Sequence, residues 1–457
     1  MKLTKEKAFY GSLLALAVPM ILQNLITYLV GFADNLMIGT LGDSAVSGVY
    51  MAGQVQTVLQ VFSFGIEGTV LLLASQYWGK KDTETIRKIT SIGFRLCGIL
   101  GAVTSAVCLL FPEAVVQIFT REESVVSCGR EYLFAVALSF LFFCMTQALI
   151  VSMRSVENAR IGFLVSLVSL VVNVSLNYLL IFGKAGFPEL GVTGAGIATV
   201  ISRIVEFLVI FCYVRFWDKK LRYRFSMLAK RDPALFHDFV RYGVPLMAGQ
   251  VVWGCNLIAN SKILGNLSEG VMTAASLANN VNNMIYVVMN GMAGAVGILT
   301  GKTVGAGKFE KIREYSVTVQ ILFFCLGLLS CGLVLLIRGP FISLYNISEE
   351  AVSYSFQFIG VLSVTIIGTA YQYPCLFGLV KSGGDVGFVF KNDTIFVFGV
   401  VIPLSVLTLL LGCPPWVIFL CLKSDQILKC AVAFFKIRRF DWMKNLTREE
   451  ARSIEEE

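Results

Sequence analysis

Histidine is almost missing from this 457-residue chain: there is one, His237. A zinc hydrolase or a histidine-activated nucleophile needs imidazole beside the reacting atoms, so those enzyme classes lose their usual base. Charge is scarce too, at 15% of residues, while hydrophobic residues reach 56% and the mean hydropathy is +0.74. Ordinary soluble chains are about 25% charged. A soluble fold could not hide so much apolar surface and still present a polar exterior, so lipid is the expected solvent. None of the twelve cysteines stands in a CxxC or Cys/His pattern, which argues against a redox or metal site and for small core residues. The first apolar run is far longer than a signal's apolar core and lacks a small-residue cleavage site, so no cleaved signal is expected. The short alternating segments of a membrane barrel are also missing, which leaves helices.

What is present is a series of apolar stretches of about 20 residues or more, enough for ~30 Å of hydrocarbon. They predict twelve spans: 9–36, 45–77, 89–111, 132–153, 161–181, 191–214, 239–264, 271–302, 315–337, 351–380, 387–411 and 415–435. The net charge of +8 does not point to nucleic acid, because the basic residues gather in alternate loops. Lys2, Lys5 and Lys7; Lys80, Lys81, Arg87 and Lys88; the run 215–241; and Lys302, Lys308, Lys311 and Arg313 form one set. The intervening loops are poor in Lys and Arg, a positive-inside bias that puts both termini in the cytoplasm of a cell-membrane protein.

The chain repeats itself. Shifted by 226 positions, Pro19 meets Pro245, Gly39 meets Gly265, and Gly65, Gly68 and Gly79 meet Gly291, Gly294 and Gly305. Glu84 and Arg87 likewise meet Glu310 and Arg313. An even number of spans per repeat makes the halves parallel, an architecture of secondary transporters with a substrate site between the repeats. The expected fold is therefore an all-α membrane protein of twelve helices, two parallel six-helix lobes around a central cleft. The N-terminal lobe is expected at 1–217, a basic linker at 218–238, the C-terminal lobe at 239–437 and a cytoplasmic tail at 438–457.

Several motifs in order, one of them with its repeat, carry a resemblance: Pro19 with Asp34 fifteen residues on, Gly39-Thr40-Leu41-Gly42, and Ser75-Gln76-Tyr77-Trp78-Gly79 with its repeat Gly301-Lys302-Thr303-Val304-Gly305-Ala306-Gly307. Asn173-Val174-Ser175-Leu176-Asn177, residues 191–199, Ser382-Gly383-Gly384-Asp385 and Trp442 complete the set. Over almost its full length the chain resembles the multidrug and toxic compound extrusion (MATE) family. The loop at 79–88 does not match the major facilitator pattern.

Asp34 stands alone among apolar neighbours, and an intramembrane carboxylate usually marks an ion or proton path. Its repeat equivalent is Asn260, so the scaffold accepts a neutral side chain there. The resemblance implies a cation site at Asp34, Asn173, Asn177 and Thr199, with Asn177 standing where many relatives carry Asp. One carboxylate among neutral oxygens suits Na⁺ or a proton; the coupling ion is H⁺ or Na⁺ and no other cofactor is expected. Arg203 and Glu206, three apart, read as a mutual pair. The resemblance also implies bulky, often cationic and aromatic substrates. Adaptable Met and aromatic walls suit them, and the candidates are Tyr28, Tyr50, Met51, Trp253, Met284 and Met289, with Glu67 as a possible cation-attracting member. Asp385, Lys381, Asp393, Asp425 and Lys423 read as structural. The reading is a non-enzymatic, monomeric exporter in the lipid bilayer that acts on small organic molecules and binds no nucleic acid. The alternative is a flippase for a lipid-linked saccharide, which would want a strongly cationic cavity, whereas Arg203 is nearly the only in-span arginine away from loop edges.

Overall fold

The structure is a computed structural model; it describes residues 3–345 and 347–448, and the side chains of Phe225 and Ala229 are left aside. Lys2 and the end of the expected tail, 449–457, lie outside the described residues. Among those described, every named element is helical.

The first half of the chain runs α1 (Lys7–Gly39), α2 (Asp43–Lys80), α3 (Thr83–Leu110), α4 (Pro112–Gln117), α5 (Glu123–Val136), α6 (Ser139–Ser155), α7 (Arg160–Ile181) and α8 (Gly191–Cys212). The second half runs α9 (Pro233–Leu264), α10 (Glu269–Gly305), α11 (Phe309–Ser343), α12 (Glu349–Tyr373), α13 (Val386–Phe396), α14 (Ile402–Leu410), α15 (Pro415–Leu422) and α16 (Ser424–Arg439). Several starts are capped by side chains that satisfy an otherwise orphaned N–H. Asp82 accepts from Thr85, Asp232 from Leu235, Ser268 from Val271 and Ser348 from Ala351.

Among the described residues nine helical spans are long and apolar enough to cross a membrane, one of them joining α13 and α14 over Val386–Leu410, or ten if the bent pair α5–α6 is one span. Three of the twelve expected spans therefore look different, for local reasons. The span at 132–153 is broken by a 50° bend between α5 and α6, where Ser105 Oγ donates to the Ala137 carbonyl at 2.8 Å. Helix α9 carries Gln250, Asn256, Asn260 and Lys262, which lower its apolar content. The last span is interrupted at Lys423, between α15 and α16.

The two halves meet through their first and second helices. Helix α1 packs on α10, and α2 packs on both α9 and α10. Contact is tightest near the C-terminal ends of α2 and α10, where only hydrogen fits: a Cβ on Gly79 would strike the Lys302 carbonyl, and one on Gly305 the Gln76 carbonyl. Polar bonds finish this end. Gln76, fully buried, donates to the Ser382 carbonyl at 3.2 Å and accepts from Leu446 N at 2.7 Å. The tail beyond α16 is anchored by Trp442, fully buried, whose indole N–H donates to the Ile437 carbonyl at 3.2 Å. Towards the other end of α1, Leu29, Phe32 and Leu36 are exposed, as are Tyr50 and Val58 on α2 and Ile258 on α9.

Candidate functional site

Helices α1, α7 and α8 place one polar cluster inside the first half. Asn173 and Asn177 lie one turn apart on α7 and are both buried, so both amides face the same neighbours. Asn177 Nδ2 donates to Asp34 Oδ1 on α1 at 2.5 Å and approaches Asn173 Oδ1 at 3.3 Å. The oxygen of this amide, Asn177 Oδ1, is buried without a partner among the described residues. A buried acceptor left unpaired costs free energy that a water or a cation would relieve.

Helix α8 contributes the opposite wall. Thr199, Ser202, Arg203 and Glu206 recur at helical spacing on one face and, with Asp34, Asn173 and Ser169, line a cavity of about 40 Å³. That is room for a few waters, each of which needs about 10–15 Å³ of such space. Thr199 Oγ1 donates to the Ala195 carbonyl at 3.0 Å and also interacts with the Tyr132 hydroxyl. Arg203 Nη1 donates to Glu206 Oε2 at 2.6 Å, and Ser169 Oγ lies 3.4 Å from the same oxygen. The Arg203 guanidinium also lies over the Phe143 ring, 5.1 Å from its centroid. The cavity thus offers the Asp34 carboxylate, the Arg203-paired Glu206 carboxylate, the Asn173 amide and hydroxyls, all hard oxygen donors of the kind that receive Na⁺, water or a proton. No group of three or more His, Cys, Asp or Glu side chains able to hold a metal occurs among the described residues.

The four residues expected to form a cation site are therefore neighbours: Asp34, Asn173 and Asn177 through hydrogen bonds, and Thr199 on the same cavity wall. In the second half the equivalent of Asp34 is inert in charge. Asn260 Nδ2 donates to the Asn256 carbonyl at 2.7 Å and to its Oδ1 at 3.1 Å.

The expected substrate-cavity residues differ in burial. Tyr50, Trp253 and Met284 are exposed and Tyr28 is half-buried. Met51 packs against the core of the first half, and Met289 is buried. Glu67 is buried as well, and accepts from Ser63 Oγ at 2.7 Å on its own helix.

Two groups meet more partners than a mutual pairing along one helix gives them. Arg203 and Glu206 do pair, yet the pair also faces Asp34; the Thr199, Ser202, Arg203, Glu206 spacing was the available signal. In the second half Lys429 sits between Asp393 and Asp425, at 2.9 and 3.1 Å, and so compensates two acids that the sequence left unpaired. Asp385 is bound by Lys436 and Lys444, each at 2.8 Å.

The MatE family profile matches this chain twice, over residues 19–179 and 245–407. The probable multidrug resistance protein YoeA of Bacillus subtilis is 23% identical over 411 residues, 88% of this chain and 87% of the relative. The probable multidrug resistance protein NorM of Rhizobium meliloti is 26% identical over 314 residues, 68% of this chain and 66% of the relative. Among solved structures, that of a mutant of the Vibrio cholerae MATE transporter VcmN shares the fold, with a TM-score of 0.86 at 16% identity over 94% of this chain and 97% of that one. With the profile covering well over half of its residues, the chain belongs to the MatE family of multidrug efflux transporters.

Proposed function

We propose that this protein is an antiporter that couples entry of H⁺ or Na⁺ to export of small, often cationic or aromatic organic compounds by alternating access. The observation that carries this reading is the cluster of Asp34, Asn173, Asn177 and Thr199: Asp34, Asn173 and Thr199 line a small cavity, and Asn177, bonded to Asp34, has its Oδ1 buried and without a partner among the described residues. With the Glu206 carboxylate paired to Arg203, the Asp34 carboxylate among neutral oxygens is left to bind one monovalent cation and let it go again, as a coupling ion must. The exposed aromatic and Met residues Tyr50, Trp253 and Met284, together with Tyr28, Met51, Glu67 and Met289, are the proposed substrate contacts, not all accessible at once.

The layout follows as two parallel six-helix lobes, 1–217 and 239–437, joined by the linker 218–238 and followed by the tail from 438. Two facts support a repeat axis. The family profile matches at a spacing of 226 residues between starts, 19 and 245. Packing between the halves obeys the same offset: a Cβ on Gly65 would meet Met247, and one on the equivalent Gly291 would meet Ile21, the equivalent of Met247. With the basic loops in the cytoplasm of a monomer in the cell membrane, the tight contact at Gly79 and Gly305 closes the cytoplasmic side and the cleft opens outward.

The test is drug uptake by inside-out vesicles under separately imposed Na⁺ and H⁺ gradients. Uptake driven by one gradient, and lost in Asp34→Asn, is expected. Uptake that ignores both gradients in the wild type would sink the coupling.

A further inference from the structure

Arg203 has more capacity than its visible partner uses. A guanidinium presents five N–H donors; among the described residues its one hydrogen bond is Nη1 to Glu206 Oε2, at 2.6 Å. The group lines the same cavity of about 40 Å³ as Asp34 and is close enough for its charge to act on that carboxylate. The ionisable groups around Asp34 are Arg203 and Glu206 from α8 and the Tyr132 hydroxyl from α5. With both acids ionised the cavity holds two negative charges and one positive, a shortfall of one monovalent cation.

We propose that Arg203 is a tethered competitor for the coupling cation: with a cation on Asp34 it pairs with Glu206 alone, and as the cation leaves it shares itself between Glu206 and Asp34. The inference rests on the coupling role of the Asp34 cluster. Its physical ground is the difficulty of release. A cation that departs from a buried carboxylate leaves an uncompensated charge in a low-dielectric site, the most costly way to break a buried pair. A second cation on a long side chain, already inside the cavity, lowers that cost without entering from solution. A planar guanidinium suits the task, because it can serve two carboxylates at once through different edges. The reverse face of the same bargain is weaker binding, since the incoming ion must displace Arg203 from Asp34. Arg203 is thus a residue that sets ion affinity and release by acting on Asp34; it is not part of the oxygen shell.

Loss of Arg203 alone would tighten cation binding simply by making the cavity more negative. The informative protein is therefore Arg203→Gln/Glu206→Gln, which keeps the wild-type net charge and removes only the internal competitor. Purified full-length protein is followed by thermal unfolding, with Na⁺ titrated against choline at constant pH, and with pH titrated in Na⁺-free buffer. The midpoint of the stabilisation reports the cation that the wild type binds. In the double variant that midpoint should fall to a cation concentration lower by about fivefold or more, the size of an ordinary coupling between two ligands of one site. A smaller shift overturns the proposal and leaves Arg203 as no more than the counter-ion of Glu206. Should the amide pair fail to fold, Arg203→Met/Glu206→Met meets the same criterion, because apolar replacement of a buried ion pair is often tolerated. Asp34→Asn is the separate control: a response that survives in it, or a wild type that responds to neither cation, removes the coupling site itself and the role of Arg203 with it.

Discussion

Lys302 Nζ lies 2.8 Å from both carboxylate oxygens of Glu157, across 145 residues of sequence. Glu157 follows α6 in the first half, and Lys302 stands in the last turn of α10 in the second. The Trp78 indole donates to the same carboxylate at 3.0 Å, and Lys220 covers its backbone carbonyl at 2.9 Å. Beside the glycine contact at Gly79 and Gly305, this ion pair ties the halves together at their closed end.

Glu157→Gln should loosen that end in a pH-dependent way. Burial pushes the Glu157 carboxyl up, but the hydrogen bonds from Lys302 and Trp78 outweigh it and hold the group below the usual carboxylate range. A carboxylate with a lowered folded value adds stability above its unfolded value, about 4.3, and loses it as pH falls through the folded value. Because Lys302 is part-exposed, the pair is worth on the order of 1 kcal/mol at most. Thermal unfolding in detergent should therefore separate wild type from Glu157→Gln at pH 7, with the gap closing under acid. An equal gap at both ends would mean that the charge on Glu157 is irrelevant.

Gly305→Val should be more damaging. The first new carbon already meets the Gln76 carbonyl, which is backbone and cannot rotate away. Overpacking of this kind costs about 1–3 kcal/mol or more, and here it should also wedge α10 from α2. The expected readout is faster amide exchange in both helix ends, residues 72–80 and 298–305. Unchanged exchange at both ends would mean that the contact is not needed for closure.

Asp34→Asn should leave insertion and thermal stability close to wild type while export loses its dependence on the ion gradient. An amide at the equivalent position is already accommodated in the second half, where Asn260 bonds to Asn256. Gradient-driven export at the wild-type rate by a correctly inserted variant would exclude Asp34 as the coupling group.

Asn177→Asp should convert one buried amide into a second carboxylate beside Asp34, in place of the hydrogen bond at 2.5 Å. Two carboxylates in one low-dielectric pocket cannot both ionise cheaply, so one must hold a proton or the two must share a metal cation. Efflux should become more Na⁺-dependent, with its pH optimum moved upward and ion release slowed. Paired measurements in the same vesicles decide it: identical Na⁺ and pH dependence would mean that residue 177 does not share a working pocket with Asp34.

Much of this protein was determined by its sequence alone. Apolar content fixes the solvent and the helical class, since lipid leaves backbone groups no other partners. The constant spacing of Pro19 and Pro245, or of Gly79 and Gly305, reveals duplication, because a repeat is a one-dimensional property. The isolation of Asp34 among apolar neighbours is also legible in one dimension, as is the shared face of Asn173 and Asn177. Tertiary structure decided what these residues meet. Arg203 and Glu206 read as a closed pair on one helix until α1 and α7 bring Asp34 and Ser169 to the same cavity. Lys429 became the partner of Asp393 only when α16 packed beside α13, and Glu157 met Lys302 only when the halves closed. The physical reason is common to all three. Helical periodicity says which side chains share a face, whereas the identity of the facing helix depends on long-range packing that no local spacing encodes.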